Sequence, residues 1–245
     1  MNLVVDIGNS RTKAGWFIHD QLTESQSIDK ITRKSWMGLV EKVPVDRILV
    51  STVSATDRDT FFLTGTGKKK LLFLDHNIPL PFKISYASPE TLGNDRIAAA
   101  AGALCLYPGY PLLVMDLGTA ITIDFVTASG EYKGGNISPG LATRFKSLHD
   151  HTARLPLIEK DNRYPEFGID TNSAIAAGVQ QGILFELNGY MSRFEEKYPQ
   201  CRCVITGGDA GFFVHMLKKT IFVHPDLVLT GLNHILEFNN SLIRS

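Results

Sequence analysis

The feature that most constrains this chain is a short pattern that occurs twice. An apolar run leads into Asp-x-Gly and a small polar residue, and a second apolar run follows. The copies are residues 4–10 (VVDIGNS) and residues 112–120 (LLVMDLGTA). Each copy predicts a strand, a tight turn and a return strand. Two copies predict two duplicated halves whose Asp-Gly turns face a shared ligand. Two ordinary hairpins with glycine at the turn are the alternative.

The residue types of the first turn suit a phosphate group that is bridged by a cation. Gly8 is expected to adopt a positive φ and to leave room for a bulky anion. Asn9 and Ser10 offer short donors, and Lys13 offers a full positive charge. Asp6 would repel a bare phosphate. Its presence therefore predicts a metal-bridged polyphosphate.

The composition is that of an ordinary globular protein and argues against several classes of function. Hydrophobic residues make up 44% of the 245, and 25 basic side chains balance 25 acidic ones. This balance does not favour a surface for nucleic acid or anionic membranes. No apolar run approaches the ~20 residues of a membrane helix. Because the first residues have a strand pattern and not that of a signal peptide, we expect a cytoplasmic protein.

The order of the predicted elements indicates an α/β chain of two similar halves, because strands come first in each half and helices alternate later. The alanine-rich stretch 94–106 predicts a helix that Pro108-Gly109-Tyr110-Pro111 ends. This break divides the chain into domains 1–109 and 110–245. Other helices are predicted at 32–43, 57–63, 141–150, 171–198 and 230–238. Thr171 or Asn172 is the expected N-cap of the helix 171–198.

Two further segments carry groups that suit a nucleotide and an acceptor alcohol. Gly207 and Gly208 follow a strand and would let a base lie close to the backbone, although a tight strand-to-helix turn is the simpler interpretation. Asp95 opens the alanine-rich helix. As a general base it would accept a proton from a hydroxyl that attacks a γ-phosphate, and Arg96 would grip an anionic substrate. A helix cap by Asn94 and Asp95 is the simpler alternative.

Two groups with metal-ligand residue types are not favoured as metal sites. Cys201 and Cys203 begin a strand pattern without further ligands nearby, so buried structural thiols are the preferred interpretation. His149 and His151 lie near a predicted helix end and lack an evident third ligand. The sequence also contains no G-x-x-x-x-G-K-[ST], H-E-x-x-H or G-x-S-x-G motif.

Taken together, the motifs resemble those of the type III pantothenate kinases, in the superfamily of acetate kinases, sugar kinases, actin and the heat-shock ATPases. The resemblance is ordered and covers nearly the whole chain. The matching segments are residues 6–13 (DIGNSRTK), Tyr86, 93–96 (GNDR), 116–120 (DLGTA), 134–140 (GGNISPG), Thr171 with Ile175 and Gly178, and 206–208 (TGG). One small departure is Ile121-Thr122, where the family often has two threonines.

The resemblance implies an α/β fold of two similar actin-like (ribonuclease H-like) halves with an interdomain cleft. It also implies ATP-dependent phosphorylation of pantothenate to 4′-phosphopantothenate, the first step of coenzyme A biosynthesis, with Asp95 as the base. The implied pantothenate site is Tyr86, Gly93, Asn94, Asp95, Arg96 and Thr171. The implied nucleotide site is Asp6, Ile7, Gly8, Asn9, Ser10, Arg11, Thr12, Lys13, Thr119, Gly207 and Gly208.

The resemblance further implies Mg²⁺ near Asp6, a monovalent cation (K⁺ or NH₄⁺) at Asp116, and a homodimer. The apolar face of the helix 171–198 agrees with a dimer, although an intradomain core would also explain it. Thr171 would then act in its own or in the partner subunit's pocket. Two other functions stay open: another small-molecule kinase or a phosphatase of the same fold, and a non-catalytic nucleotide-binding regulator.

Overall fold

The computed structural model describes residues 1–52, 66–67 and 69–244, and it is an α/β fold with two sheets. The strands are β1 (Asn2–Ile7), β2 (Thr12–Ile18), β3 (Gln21–Ile28), β4 (Arg47–Thr52), β5 (Lys70–Phe73), β6 (Lys83–Ile84), β7 (Leu112–Leu117), β8 (Ala120–Val126), β9 (Glu131–Pro139), β10 (Arg202–Thr206) and β11 (Ile221–Val223). The helices are α1 (Arg33–Glu41), α2 (Asn94–Leu106), α3 (Leu141–Asp150), α4 (Thr171–Lys197), α5 (Ala210–Phe213) and α6 (Leu227–Arg244). The predicted helix at 57–63 lies outside the described residues.

The chain divides into two compact units. The first unit comprises Met1–Gly109, Val126–Gly134 and Asp226–Ser245, and the second comprises Tyr110–Phe125 and Gly135–Pro225. The break after Gly109 falls where the sequence predicts a boundary. However, two segments assigned to the second domain, 126–134 and 226–245, belong to the first unit. The reason is tertiary, because β6 pairs with the start of β9, and α6 packs on α2.

The sheet of the first unit has the strand order β3-β2-β1-β4-β5. Strands β1 and β2 form the antiparallel hairpin predicted from the first motif, and β1, β4 and β5 run parallel. In this register Asp6 at the end of β1 is paired with Lys13 on β2 and with Ser51 on β4. The sheet therefore places a carboxylate, an ammonium and a hydroxyl side by side at the end of β1.

Strand β1 is buried on both of its faces. Leu3 and Val5 pack with Trp16 and Trp36 in the core beneath α1. Because side chains alternate along a strand, Val4 points to the opposite face, where α6 lies against β1. This explains why the sequence of β1 is a nearly continuous apolar run that ends at Asp6.

Helices α2 and α6 cross with their backbones in direct contact. A Cβ atom on Gly231 would lie 1.8 Å from the carbonyl oxygen of Ala98. Helix α6 is longer than the predicted 230–238, because buried polar residues interrupt its apolar pattern without ending it. Asn233 donates to the carbonyl oxygen of His19 at 2.9 Å, and Asn239 donates to that of Pro79 at 2.8 Å.

The second unit is built on strands β11, β10, β7, β8 and the later part of β9, in that order. Strands β7, β10 and β11 are parallel, and the register pairs Asp116 at the end of β7 with Thr206 at the end of β10. Ile183 and Leu187 of α4 lie in the core of this unit. The first residues of β9 belong to the first unit, where Tyr132 pairs with Ile84 of β6.

Helix α4 begins at a capping box that is set one residue earlier than predicted. Asp170, and not Thr171 or Asn172, is the N-cap: its carboxylate accepts from the backbone N–H of Ser173 at 2.9 Å. The Ser173 hydroxyl in turn accepts from the Asp170 N–H at 3.1 Å, which satisfies two helix-end donors reciprocally. Thr171 is consequently the first residue of the helix. Across the described residues, no helix is both long and apolar enough to cross a membrane.

Candidate active site

The turn between β1 and β2 is closed by a hydrogen bond from the backbone N–H of Gly8 to the carbonyl oxygen of Arg11 at 3.0 Å. The prediction of a positive φ at Gly8 is wrong, since the φ of Gly8 is not positive. A glycine suits the turn for another reason: a Cβ at this position would lie 3.2 Å from the Arg11 oxygen. Asn9, Ser10 and Arg11 are exposed along the turn.

Asp6 has an unusually high pKa for an aspartate, raised from the ordinary 3.8 to about 6. Burial is the largest cause, and the nearby carboxylate of Asp95 acts in the same direction. A hydrogen bond with Ser51 and the charge of Lys13 oppose the increase. Asp6 and Asp95 are therefore close enough to repel each other, and a bound cation would relieve this repulsion.

Asp95 lies in the first turn of α2, and its position depends on Gly93. The Asp95 carboxylate accepts a hydrogen bond from the backbone N–H of Arg96 at 2.9 Å. A Cβ on Gly93 would be only 2.4 Å from Oδ1 of Asp95. Gly93 is itself the N-cap residue, and no side chain caps the helix. The alternative of a helix cap is wrong as to the N-cap residue, but the acidic first-turn position that it expects is confirmed, since Asp95 lies in the first turn and accepts from the N–H of Arg96.

Asn94 attaches the start of α2 to the neighbouring strands. Its side-chain amide donates to the carbonyl oxygens of Leu74 at 2.9 Å and of Thr52 at 3.4 Å. These carbonyls lie at or just beyond the ends of β5 and β4. The described contacts of Asn94 thus support the placement of Asp95, and its assignment to the substrate site stays a prediction.

Arg96 is buried beside two tyrosine rings. Its side chain is 5% exposed, and its Cζ atom lies 5.9 Å from the ring centroids of both Tyr86 and Tyr132. The two rings meet edge to face with centroids 6.2 Å apart. Gly134 has a φ of 114°, and a Cβ there would touch the Tyr86 ring at 3.7 Å.

In the second unit, the turn after β7 lies against the turn after β10. Gly207 has a φ of 100°, and a Cβ on it would lie 2.5 Å from Oδ1 of Asp116 and 2.4 Å from the nitrogen of Leu117. The N–H of Asp209 donates to the carbonyl oxygen of Leu117 at 2.9 Å. The requirement for glycine at 207 therefore comes from the close approach of Asp116.

The glycine-rich segment 134–140 holds the second Asp-Gly turn in place. The carbonyl oxygen of Thr119 accepts from the N–H of Gly140 at 3.0 Å and from the hydroxyl of Thr143 at 2.7 Å. A Cβ on Gly140 would lie 2.0 Å from the carbonyl oxygen of Gly118. Through this contact the segment 134–140 supports the turn after Asp116, although it is distant from that turn in sequence.

Thr171 is exposed at the start of α4 and borders a groove of about 750 Å³ between α3 and α4. Thr143, Arg144, Ile175 and Gly178 also line this groove. It lies in the second unit, together with Asp116, Thr119, Gly207 and Gly208.

The other residues of metal-ligand type have structural contacts. Cys203 lies in the core of the second unit with Cys201 packed against it, as expected for structural thiols. Burial raises the pKa of Cys201 to about 11 and that of Cys203 to about 12. His149 Nδ1 lies 2.9 Å from the carbonyl oxygen of Leu155. Within the described ranges, no group of three or more His, Cys, Asp or Glu is arranged to hold a metal ion.

The structure brings together Asp6, Lys13 and Asp95 in the first unit, with Tyr86 and Arg96 on the same unit. Sequence reasoning missed three residues there: Ser51, Tyr132 and Asp226, whose carboxylate lies 3.9 Å from Nζ of Lys13. No sequence motif marks Ser51 or Asp226. The structure reveals Ser51 through its strand register with Asp6, and Asp226 through its contact with Lys13. The only signal for Tyr132 was its place just before Gly134 and Gly135.

Comparison with solved structures shows the fold. One similar chain, from Campylobacter jejuni and described as a conserved Baf family transcriptional activator, has a TM-score of 0.66 at 22% identity, covering 98% of this chain and 99% of that one. An activator of 2-hydroxyisocaproyl-CoA dehydratase from Clostridium difficile has a TM-score of 0.56 at 14% identity, covering 99% and 95%. The expected α/β class with two similar actin-like halves is confirmed.

Comparison of sequences shows the family. The model of the family "Type III pantothenate kinase" matches residues 2–193. A type III pantothenate kinase of Bacteroides fragilis is 42% identical over 248 residues, covering 99% of this chain and all of that one. One of Porphyromonas gingivalis is 39% identical over 241 residues, covering 97% and 98%. The chain therefore belongs to the type III pantothenate kinase family.

Proposed function

We propose that this chain transfers the γ-phosphate of ATP to the 4′-hydroxyl of pantothenate, which gives 4′-phosphopantothenate, in the first step of coenzyme A biosynthesis. One observation carries the proposal beyond family membership. Asp6 is paired with Lys13 across the β1–β2 hairpin, and the carboxylate of Asp95, from a distant motif, is near enough to help raise the pKa of Asp6. Such a grouping suits phosphoryl transfer, where positioning and charge compensation supply most of the catalysis.

Asp95 is the general base in this proposal. The O–H bond of the substrate alcohol breaks as its oxygen attacks the γ-phosphorus, Asp95 takes the proton, and the bond to the β-phosphate oxygen breaks to release ADP. The contact with Gly93 and the hydrogen bond from the Arg96 N–H support a fixed carboxylate. A fixed base is needed because the proton donor must lie within hydrogen-bond reach.

Each unit carries residues that we assign to the nucleotide. On the first unit, residues 6–13 would supply backbone and side-chain donors and the charge of Lys13, and on the second unit Thr119 would supply a further hydroxyl. Gly208 would leave room for the adenosine, since a Cβ there would meet nothing within 4 Å. The alternative of a simple turn at 207–208 is compatible with this role.

The residues present fit a divalent cation beside the phosphates. The raised pKa of Asp6 indicates a carboxylate whose ionised form is destabilised by burial and by Asp95, and no cluster of three protein ligands occurs in the described part of the chain. This donor set suits Mg²⁺, which usually binds through one or two carboxylates, water and substrate phosphates. Bound there, Mg²⁺ would supply charge neutralisation of the phosphates, with Asp6 as its protein partner.

We assign Asp116 to a monovalent cation, K⁺ or NH₄⁺. The close approach of Gly207 to its Oδ1 and to Leu117 supports a packed carboxylate at this turn and not a freely moving one. If Asp116 holds the cation, Asp116→Asn will abolish the difference between the rates in K⁺ and in Na⁺. Equal rates of the unmodified protein in both salts would contradict this assignment.

Pantothenate would be held through its carboxylate by Arg96, with Tyr86 beside it and Thr171 from the same or the partner subunit. The apolar face of α4 with Ile183 and Leu187 lies in the core of its own unit, as the intradomain alternative expects. A homodimer through α4 is supported by Phe185, an apolar side chain of that helix that is 70% exposed. Burial of such side chains in a second copy removes apolar area from water. A cytoplasmic location stays a prediction.

The experiment that tests the proposal identifies the product. The protein is incubated with Mg-ATP, K⁺ and pantothenate, and the products are separated and weighed by mass spectrometry. We expect a species that exceeds pantothenate by one phosphoryl group, formed in equal amount to ADP. Inorganic phosphate in place of that species would indicate a phosphatase, phosphorylation of a different added alcohol would indicate another kinase, and bound ATP without turnover would indicate a regulator.

A further inference from the structure

We propose that Tyr132 is a positioning residue for substrate recognition. With Tyr86, it fixes the guanidinium of Arg96 in the orientation that receives a carboxylate. The inference rests on the proposed function, in which Arg96 binds the carboxylate of pantothenate. It adds a residue from a segment, 126–134, that joins the first unit only in the folded structure.

Arg96 lies within reach of both tyrosine rings. Its Cζ atom lies 5.9 Å from the centroid of each tyrosine ring, which is within the range of cation–π attraction. Tyr132 is completely buried and Arg96 is 5% exposed. Such attraction is stronger where water is excluded, so the two rings limit where the guanidinium can lie.

Tyr132 also positions the ring of Tyr86. Tyr132 pairs with Ile84, and its carbonyl oxygen accepts from the N–H of Ser85 at 2.9 Å. This hydrogen bond fixes the backbone immediately before Tyr86. The Tyr132 ring then meets the Tyr86 ring edge to face. Tyr132 is therefore one aromatic neighbour of Arg96 and also positions the other, Tyr86.

The orientation of the Arg96 guanidinium decides how well it binds a carboxylate. A guanidinium binds a carboxylate best when its planar fork is aligned for two parallel hydrogen bonds. An Arg96 that turns freely would lose this alignment and would distinguish less well between an acid and a neutral amide. Because Arg96 contacts the ring of Tyr132, phenylalanine at position 132 should keep this contact, whereas an aliphatic residue should lose it.

The experiment compares kcat and KM of Tyr132→Phe and Tyr132→Leu, with pantothenate and with its primary carboxamide as substrates. We expect Tyr132→Phe to keep the KM for pantothenate within about twofold. Tyr132→Leu should raise that KM by about tenfold, which corresponds to ~1.4 kcal/mol, and should reduce the preference for acid over amide by a similar factor. The KM for ATP and kcat should change by less than about threefold, because Arg96 does not touch the nucleotide in this assignment.

A second comparison keeps the test decisive if Tyr132→Leu fails to fold. Pentafluorophenylalanine at position 132 keeps the ring shape but reverses its quadrupole, and it should raise the KM for pantothenate relative to Tyr132→Phe. Trp36→Leu, which truncates a buried ring of the same unit outside the site, should lower the melting temperature without changing the acid-to-amide preference. An unchanged KM for the fluorinated ring would overturn the inference. Absence of pantothenate turnover in the unmodified protein would instead overturn the proposed function.

Discussion

At the scale of single residues, Asp6 is the side chain whose environment says most about function. A buried carboxylate beside a second carboxylate destabilises the ligand-free protein wherever it is ionised. Its pKa of about 6 lies above the ordinary 3.8. The folded state therefore keeps a proton that the unfolded state releases, and the stability of the ligand-free protein falls as pH rises from about 4 to above 6.

This environment predicts that Asp6→Asn stabilises the ligand-free protein at pH 8 but not at pH 4. The removal of the ionised carboxylate should raise the free energy of unfolding by roughly 1–3 kcal/mol at pH 8, because one pKa unit corresponds to about 1.4 kcal/mol. Urea denaturation at the two pH values measures the difference. Asp29→Asn, at an exposed position, is the matched control and should show little change. A loss of stability at pH 8 would contradict the account of Asp6.

Gly93 offers a second test, because its backbone conformation is open to other residues but the space beside it has no room for a side chain. Its φ of −58° suits alanine, but a Cβ would lie 2.4 Å from Oδ1 of Asp95. Gly93→Ala should therefore displace the carboxylate and lower kcat by ~10- to 100-fold, close to the loss of a general base. In the background of Asp95→Asn the same change should add little. A full additional loss in that background would show that Gly93 acts by another route.

At the scale of elements, the crossing of α2 and α6 joins the C-terminal helix to the first unit. Gly102 and Gly231 allow the contact, with hypothetical Cβ atoms only 2.3 Å and 1.8 Å from carbonyl oxygens of Leu227 and Ala98. Backbone atoms cannot move aside as a flexible side chain can. The position of α6 therefore depends on the absence of side chains at this crossing.

We predict that Gly231→Ala lowers the free energy of unfolding by about 1–3 kcal/mol or more, the usual cost of overpacking. Thermal and urea denaturation measure this change. Gly38→Ala is the matched control, since Gly38 is also inside a helix but a Cβ there would meet nothing within 4 Å. It should be neutral or stabilise by up to ~1 kcal/mol through helix propensity. Equal effects of the two substitutions would contradict the packing argument.

The sequence was sufficient for elements whose signals are local. The two Asp-Gly hairpins follow from alternation around a glycine turn, and α2 and α3 have the predicted bounds because alanine content and flanking glycine or proline define them. The N-cap of α4 was missed by one residue, since Asp170 and Thr171 are both good capping residues. The length of α6 was missed because Asn233 and Asn239 find buried carbonyl partners far away in sequence.

The same division applies to the site. Residues within motifs, such as Asp6 and Asp95, could be proposed from the sequence because unusual residue types stand at fixed spacing. Ser51 was missed because nothing near it in the sequence marks it, and Tyr132 has only its place just before Gly134 and Gly135 as a signal. Their roles come from strand pairing, with Asp6 in one case and with Ile84 in the other. Such information exists only in the folded chain.

At the scale of the whole molecule, the proposed homodimer would bury Phe185, an exposed apolar side chain of α4. We predict that Phe185→Asp converts a dimer into a monomer, because it would place a charge in a desolvated interface. Light scattering after size exclusion measures the mass. Leu242→Asp, at an exposed apolar position of the first unit, should leave the dimer intact. A monomeric unmodified protein, or an unchanged dimer in Phe185→Asp, would contradict this interface.

Release of ADP from Mg-ATP is the most direct measure of phosphoryl transfer to pantothenate with Asp95 as the base. The assay compares the unmodified protein with Asp95→Asn, each with and without pantothenate in K⁺ buffer. We predict ADP release that requires pantothenate and falls by at least ~10²-fold in Asp95→Asn, the scale of a lost general base. ADP release that is equal without pantothenate, or unchanged in Asp95→Asn, would contradict the account.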